Sequence, residues 1–537
     1  MPYAITNRCI QCDNCLPLCP TGAITLVDGK DFWIDPALCN NCEGYYAEPQ
    51  CVLTCPVDSP VPFQAKKGRC KASERAITSP DLFPNGKTNS FASAIVVWEL
   101  CNILAQRRSL PWQVDPIGQL YYQRQVNQGQ SLMTFHVIDT LDSQPAPLQA
   151  VNALATLDTF DIRAACLHLI YAAHAAALDQ PWQEAFVMSD RQIESYLGLD
   201  KRKDLSKPAK LALIKELVQQ PCKIAVSLDW SQPGKIKDFS LQPAPLWHLQ
   251  EIQHHFQEDE QGCKHLTGLT FRIQAGTWTN HFLNRSGYKN RAAFYQYGTL
   301  PQSLLTTVMS IWQQHEGAAR IMLWLLFKSK MGQEQRITIL TLMRIAYGET
   351  KLSRVAAHSD ERKRLLRTFE SDLEVLNHYG MKPVFDPVTY PTEIQPLWAK
   401  LADLPDDAEA ALEFWINDGT QNSRLTDAAP RGKWNRLMNA RLLYFELPDD
   451  WQKPPAKKTK QKRYPKKHRQ ASFQIQPALS SQQIIEARRK LQLSQRTLAQ
   501  QIGKSQSWVR DVERGRFQPT LKDQVRLCQI LRISEVS

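Results

Sequence analysis

The stretch CIQCDNCLPLCP, Cys9 to Pro20, places four cysteines within eleven residues and closes on a proline. A second set, CNNCEGYYAEPQCVLTCP, runs from Cys39 to Pro56. Eight of the chain's 14 cysteines lie in these two runs. The other six, Cys70, Cys101, Cys166, Cys222, Cys263 and Cys528, are scattered and read as small buried apolar residues. Tight clusters at two- and three-residue spacing point to metal rather than disulfides here. The N-terminus, MPYAITNRC, lacks the charged and apolar regions of a secretion signal.

The first run is Cys-x2-Cys-x2-Cys-x3-Cys-Pro, formed by Cys9, Cys12, Cys15 and Cys19. Three ligands in one tight loop cap three irons of a cubane cluster, and the fourth must arrive from elsewhere. This run and the CPTGAI that follows from Cys19 to Ile24 resemble two-[4Fe-4S] ferredoxins. The resemblance implies two [4Fe-4S] clusters with crossed ligands. Cys9, Cys12, Cys15 and Cys55 would hold one; Cys19, Cys39, Cys42 and Cys51 would hold the other. Eight residues separate Cys42 from Cys51, more than in the simplest members, and this insertion is similar to the longer ferredoxins associated with nitrogen fixation. Zinc commonly uses two Cys pairs separated by a longer loop, which suits the first run less well. Whether such clusters would be responsive or only structural, the residues leave open.

The charge of +12 is unevenly placed. Residues 451–537 carry 20 Lys/Arg against five Asp/Glu, whereas the first 450 residues are slightly acidic. A basic end of this kind points to a polyanionic partner. The first sixty residues go the other way, with seven acidic residues against Arg8 and Lys30. At 43% hydrophobic and 22% charged residues, the rest of the chain can bury a core. Its longest apolar run, AACLHLIYAAHAAAL (Ala164 to Leu178), is too short to span a bilayer and reads as a buried helix. We therefore expect no membrane and a cytoplasmic location.

The expected fold class is multidomain, mainly α with α+β parts. A ferredoxin-like module occupies 1–60, a polar connector 61–90, a helix-rich body 91–450, a basic linker 451–476 and a helical DNA-binding domain 477–537. Helical periodicity marks ASAIVVWELCNILAQ, DIRAACLHLIYAAHAAAL and RITILTLMRIAYG. Within the body, SDRQIESYLGL and SKPAKLALIKELVQQ read as two capped helices, followed by the strand-like CKIAVSLDW and LTGLTFRIQAGTW. Two helices and a hairpin is the order of a winged helix, and Arg362 to Pro387 is a second candidate. A plain helical scaffold is the blander alternative. No Gly-rich phosphate loop, HExxH or GxSxG is present, which argues against an enzyme. His254, His255, Cys263 and His265 read as surface or core residues, and Glu258 to Glu260 as a solvated face.

The tail, Ile484 to Ser534, has the skeleton of a helix-turn-helix. Leu498 and Ile502 face a core, Ala499 is small at the helix crossing, Gly503 permits the turn, and Ser494 and Ser505 cap the two helices. It resembles the Cro and phage-repressor class, which implies a five-helix bundle with a reading helix from Gln506 to Arg514. That resemblance puts Gln506 and Ser507 at base edges, with Asp511 either accepting from cytosine or pairing with an arginine. Gln495, Lys504, Arg510, Arg514 and Arg516 would meet phosphates. Linker residues Lys457, Lys458, Lys460, Lys462, Arg463, Lys466, Lys467 and Arg469 would add affinity without sequence preference. Trp508 is unassigned, with packing inside the bundle favoured.

The whole layout is similar to cyanobacterial regulators of the CnfR/PatB type. This implies an activator of nitrogenase genes at low oxygen, with double-stranded DNA and RNA polymerase as partners and a homodimer as the working form. A ferredoxin-fused redox enzyme and a DNA-processing protein with structural clusters are the alternatives.

Overall fold

The computed structural model describes residues 2–27, 31–36, 38–63, 77–84, 88–139, 146–231, 238–258, 263–329, 336–402, 409, 412, 416, 430, 432–452, 479–516, 519 and 521–533. The basic linker, apart from its first two residues, lies outside them. The chain divides into two compact units, Met1–Lys458 and Thr459–Ser537.

The cysteine module is small and strand-poor. Strand β1 (Tyr3–Ile5) pairs antiparallel with β4 (Pro60–Pro62), and β2 (Ile24–Val27) with β3 (Asp31–Ile34). A single helical turn, α1 (Gln50–Leu53), carries Cys51. The module's ends are fastened where Thr6 N–H donates to Ser59 Oγ (3.2 Å) and the Ser59 hydroxyl donates to the Thr6 carbonyl (3.2 Å). Its core is Ile5, Ala23, Ile24, Phe32, Ile34 and Cys51. So little apolar area cannot stabilise sixty residues alone, and domains of this size need metals or covering neighbours.

The expected connector is partly built into the body. Ser79 donates its N–H to the Val187 carbonyl (2.8 Å) and accepts at Oγ from the Val187 N–H (3.0 Å). Strand β5 (Thr88–Ala92) pairs with β14 (Tyr297–Pro301). Next come α2 (Ile95–Gln106), β6 (Gln113–Val114), β7 (Leu120–Val126), β8 (Ser131–Val137), α3 (Ala150–Thr159) and α4 (Ile162–Ala177). Helix α4 is the long apolar run and is buried along nearly its whole length, as expected. Its alanines let α2 and β5 approach closely, and Asp161 caps its first turn by accepting from the Arg163 N–H. Its two histidines are core residues. Trp247 Nε1 donates to His168 Nδ1 (2.9 Å) while His168 Nε2 meets the Val97 carbonyl (2.8 Å), which fixes one neutral tautomer.

The body then closes two three-stranded sheets in a similar way, the first stretch interrupted by two strands of another sheet and the second carrying additional helices. In the first instance α4 is followed by β9 (Ala185–Ser189), α5 (Asp190–Leu197), α6 (Lys207–Gln219) and a long hairpin, β12 (Trp247–Glu258) and β13 (Lys264–Ala275). The sheet order is β12-β13-β9. After α7 (Trp278–Phe282), α8 (Arg285–Lys289) and α9 (Gln302–Ile311), the second instance runs α10 (Glu316–Lys328), β15 (Ile337–Thr338), α11 (Ile339–Tyr347), α12 (Glu349–Ala357), α13 (Ser359–His378), β16 (Lys382–Phe385) and β17 (Arg441–Glu446). Its sheet order is β15-β17-β16. In both, the strand after the first helix pairs with the last strand.

Two expectations are corrected here. CKIAVSLDW does not form a hairpin with LTGLTFRIQAGTW. Its strand β10 (Ile224–Trp230) joins β8 and β11 (Phe239–Pro245) in a five-stranded sheet, and the partner of β13 is β12. Strand β12 reads WHLQEIQHHFQE, too polar on its outer face to announce itself. The body is also less purely helical than expected, because among the described residues four sheets run through a core that extends from Leu82 to Trp451.

Burial holds His168 and His174 down to about 4. Unfolded, both would titrate near pH 6.5. Their contribution to stability is therefore complete above 6.5 and lost as pH falls toward 4. His174 stacks on Phe186 (5.1 Å between ring centroids, 12° apart), and its Nε2 is buried without a hydrogen bond. His174→Phe should leave the melting temperature at pH 7 within a few degrees and make its decline between pH 6.5 and 4 shallower than in the parent, as followed by circular dichroism.

Candidate metal centres and nucleic-acid interface

The cysteines line two pockets. One, of ≈ 350 Å³ and open to solvent, is formed by Cys9, Cys12, Cys15 and Cys55 with Ile5, Phe32 and Val57. The other, of ≈ 320 Å³, is formed by Cys19, Cys39, Cys42 and Cys51 with Ile24 and Ile34. The chain thus crosses over: the fourth cysteine of each run stands with the other run's first three. Among the described residues no three His, Cys, Asp or Glu side chains converge as ligands of a single ion would. Four sulfurs spread around a void suit a polynuclear group instead.

Local backbone brings this about. Gln11 and Asp13 in the first loop, and Asn41 and Cys42 in the second, have φ near +60°. These left-handed residues coil each loop tightly enough to turn successive cysteines to one side. The sulfurs' surroundings explain why a cation is needed. Burial, reinforced by the neighbouring Cys9, Cys12 and Cys55, pushes the Cys15 thiol up to about 11. Burial and Cys39, Cys42, Cys15 and Cys19 push Cys51 up to about 12. Four thiolates gathered in so little water repel one another, and a strongly positive iron core reverses that balance. Cys19 differs. Burial opposes its ionisation, yet hydrogen bonds from the Thr21 hydroxyl and the amides of Ile24, Thr21 and Ala23 hold it below the usual thiol range. Such bonds to sulfur tune a cluster's potential. The residues present therefore fit two cubane clusters.

Strand β3 links these pockets to the body. Phe32 lines the first pocket and Ile34 the second. Trp33 points to the opposite side, as strand alternation requires. Its ring lies 5.5 Å from Phe256 and 6.0 Å from His254, both on β12. Lys215 Nζ on α6 lies 3.4 Å from His254 Nε2. Phe63 adds a second contact, 5.1 Å from His265 on β13. The hairpin of the first repeat is therefore the seat of the cysteine module.

In the second unit the described residues form four helices, Ser481–Lys490, Gln495–Ile502, Gln506–Glu513 and Leu521–Leu531, where five had been expected. A single last helix carries Leu527 and Leu531 into the core beside Ile484, Leu498, Ala499, Ile502, Val509 and Val512. Ser494 accepts from the Thr497 N–H and Ser505 from the Trp508 N–H. Gly503 ends the second helix at φ 74°. Trp508 packs at the edge of the bundle with Lys504 Nζ 5.3 Å above its ring.

Charges divide into those engaged within the unit and those facing outward. Glu513 is almost buried and binds Arg488 through both oxygens (2.5 and 3.2 Å), while Gln495 Nε2 donates to it at 2.7 Å. Lys504 pairs with Asp523 at 3.1 Å. Asp511 pairs with Arg516 at 3.2 Å. Ser505, Gln506, Ser507, Arg510 and Arg514 are exposed along the start and outer face of the third helix. Among the expected DNA contacts, Gln495 is thus spent inside the fold, and Asp511 takes the arginine-pairing option.

Comparison with known proteins bears on both ends. Residues 2–25 match the model of the 4Fe-4S binding domain, and residues 482–536 match that of the helix-turn-helix domain. Ferredoxin-2 of Chlorobaculum tepidum is 45% identical over 58 residues, 11% of this chain and 92% of that protein. Through its cysteine module, the chain belongs to the ferredoxin family. The ferredoxin-like protein in nif region of Trichormus variabilis is 47% identical over 57 residues. That match takes in 10% of this chain and 49% of the relative's length. Among solved structures, domains 2 and 3 of RctB align over 55% of this chain and 95% of that one, at 12% identity and a TM-score of 0.28.

Sequence reasoning missed how the ferredoxin module is attached. A tryptophan on the outer side of β3 was the available signal. The acidic module had no other reason to carry an indole there. His254 and His265, read as surface or core residues, belong to that contact. His255 donates or accepts at Thr270 Oγ1 (2.7 Å) inside the hairpin. In the helix-turn-helix, Glu513→Ala would strand Arg488, and losing one partner of such a pair costs about 3 kcal/mol or more. The expected result is premature melting of the second unit, seen as early hydrogen exchange of residues 481–516 while the body stays protected.

Proposed function

We propose that this protein is an iron–sulfur-dependent transcriptional regulator rather than an enzyme. Two [4Fe-4S] clusters, held by Cys9, Cys12, Cys15 and Cys55 and by Cys19, Cys39, Cys42 and Cys51, govern its action on duplex DNA. Gln506 and Ser507 read base edges, and Arg510 and Arg514 bind phosphates. The observation that carries this reading is strand β3, with the cysteine pockets on one side and the body on the other. The ferredoxin module is joined to the body by packing, not merely by sequence.

A bound [4Fe-4S] cluster supplies a one-electron change of charge and a structure that oxygen destroys. The chain's own residues do the rest. The eight cysteines would hold the clusters as thiolates; in their absence burial would favour the protonated forms of Cys15 and Cys51, and the pockets would lose what holds them together. Phe32 and Ile34 then shift, and Trp33, on the same strand, carries the shift to Phe256 and His254 and on to Lys215 of α6. The two repeats are winged helices in this reading, the first serving as the receiver.

The target genes are those of nitrogen fixation, activated at low oxygen. Support comes from the relatives named for the nif region and from the insertion between Cys42 and Cys51. The protein acts in the cytoplasm as a homodimer, with RNA polymerase as a further partner.

Cys51→Ser and Cys55→Ser belong to different pockets. Each should lower iron content from roughly eight atoms to roughly four per chain, measured on anoxically purified protein. The double variant Cys51→Ser/Cys55→Ser should lose all its iron, and retention of roughly four atoms by it would refute the crossed assignment. Trp33→Ala should keep full iron but uncouple it: binding to promoter fragments would no longer change on brief aeration. In cells, chromatin capture should give sharp anoxic peaks upstream of nitrogenase genes that vanish in air. Cys12→Ser should remove them, and an absence of discrete peaks would sink the regulator reading.

A further inference from the structure

The body's two repeats close their three-stranded sheets in the same way but present different surfaces. In the first, helix α6 exposes Lys207, Pro208, Ala209 and Glu216. Lys207 is neutralised by Asp190 (2.7 Å) and Glu194 (2.5 Å), and the adjoining hairpin is occupied by the ferredoxin module. In the second, helix α13 buries Leu365, Phe369, Asp372, Leu373 and Leu376 against α10, α12 and β16. Its opposite side exposes Lys363, Arg364, Arg367 and Thr368. These fall at i, i+1, i+4 and i+5, which is one continuous stripe on a helix.

We infer that this stripe is a second duplex-DNA contact, separate from the helix-turn-helix unit. The inference goes beyond the proposed function, though it rests on that reading's premise that the chain binds DNA. Three observations carry it. First, α12 and α13 pack together as successive helices joined at His358, with α13 second. In helix-turn-helix architectures the second helix of such a pair enters the major groove. Second, the stripe's cations are available. Arg364 and Arg367 have no carboxylate partner among the described residues, and Lys363 meets Asp360 only at 3.8 Å with both side chains largely exposed, a pairing of little strength. Third, Glu361 (3.8 Å from Arg354), Glu370 and Asp372 of this helix are engaged elsewhere, and the exposed Asp360 and Glu374 bound the stripe at its two ends. Asp372 accepts from Tyr347 (2.6 Å) and lies 3.2 Å from His315, Glu370 pairs with Lys433, and Glu374 lies a further two turns along.

Exposed arginines suit phosphate oxygens, so the contact supplies affinity and register. Two DNA-binding surfaces on one chain raise each other's effective concentration. The protein should therefore cover more DNA than a single helix-turn-helix site requires. The repeats have divided their labour: one holds the ferredoxin module, the other holds DNA.

The test uses the full-length, anoxically purified protein with its iron and a promoter fragment recovered by chromatin capture. Arg364→Gln/Arg367→Gln and the charge reversal Arg364→Glu/Arg367→Glu are compared with the parent, after circular dichroism shows matching melts. We expect at least tenfold weaker binding in the reversal, a shortened nuclease footprint in both, and a salt dependence of log Kd reduced by roughly two in the Gln variant. Arg510→Glu/Arg514→Glu serves as the contrast and should abolish discrete binding. Unchanged affinity, footprint and salt slope in the α13 variants, with Arg510→Glu/Arg514→Glu still inactive, would overturn this proposal and leave the regulator reading standing. The same outcome would hand the stripe to an acidic protein partner. Full binding by Arg510→Glu/Arg514→Glu would instead overturn the assignment of the reading helix while leaving α13 as the DNA contact.

Discussion

The attachment of the ferredoxin module to the body depends on one strand having two faces. Side chains on β3 alternate, so Phe32 and Ile34 complete the two cysteine pockets while Trp33 is driven outward. An exposed indole on a sixty-residue domain would be unfavourable. Buried against Phe256 and His254, it anchors the module to the body. An aromatic pair in this geometry adds about 0.5–1.5 kcal/mol beyond the area it covers. The strand cannot move for one face without moving for the other. A change at the sulfurs therefore has a mechanical route outward that does not require a long relay.

The same economy appears at the other end. The three helices of the helix-turn-helix are held by apolar residues at the crossing and by a nearly buried carboxylate, Glu513, that grips Arg488 and Gln495. A charge in that position fixes orientation more than it adds stability, because its desolvation offsets most of the attraction. Its effect is to present Gln506, Ser507, Arg510 and Arg514 on a rigid helix. The internally paired Lys504 and Asp523, and Asp511 and Arg516, keep the remaining charge from blurring that face.

Between these ends the body repeats one topology and assigns the copies different surfaces. The short strand after the first helix closes on the last strand in each, so each sheet is tied back to its own helices. Charge then separates the copies. Lys207 of α6 is answered by two carboxylates, whereas Arg364 and Arg367 of α13 are answered by none among the described residues.

What was legible from the sequence was local. Cysteine spacing, the serine caps at 189, 206, 494 and 505, the glycine at 503 and the apolar run of α4 all act within a few residues, and each appears where expected. What only the tertiary structure decided was pairing at a distance. Nothing in CKIAVSLDW says that it joins β8 rather than β13, because a strand's partners are chosen by which faces remain to be covered. Nor could Trp33 and His254, 221 positions apart in the chain, reveal one another by composition or period. The sequence by itself determined which chemistries this protein carries, since ligand sets and caps are written in short spacings. The fold decided how those chemistries are connected, since packing is a property of surfaces that meet only after the chain has closed.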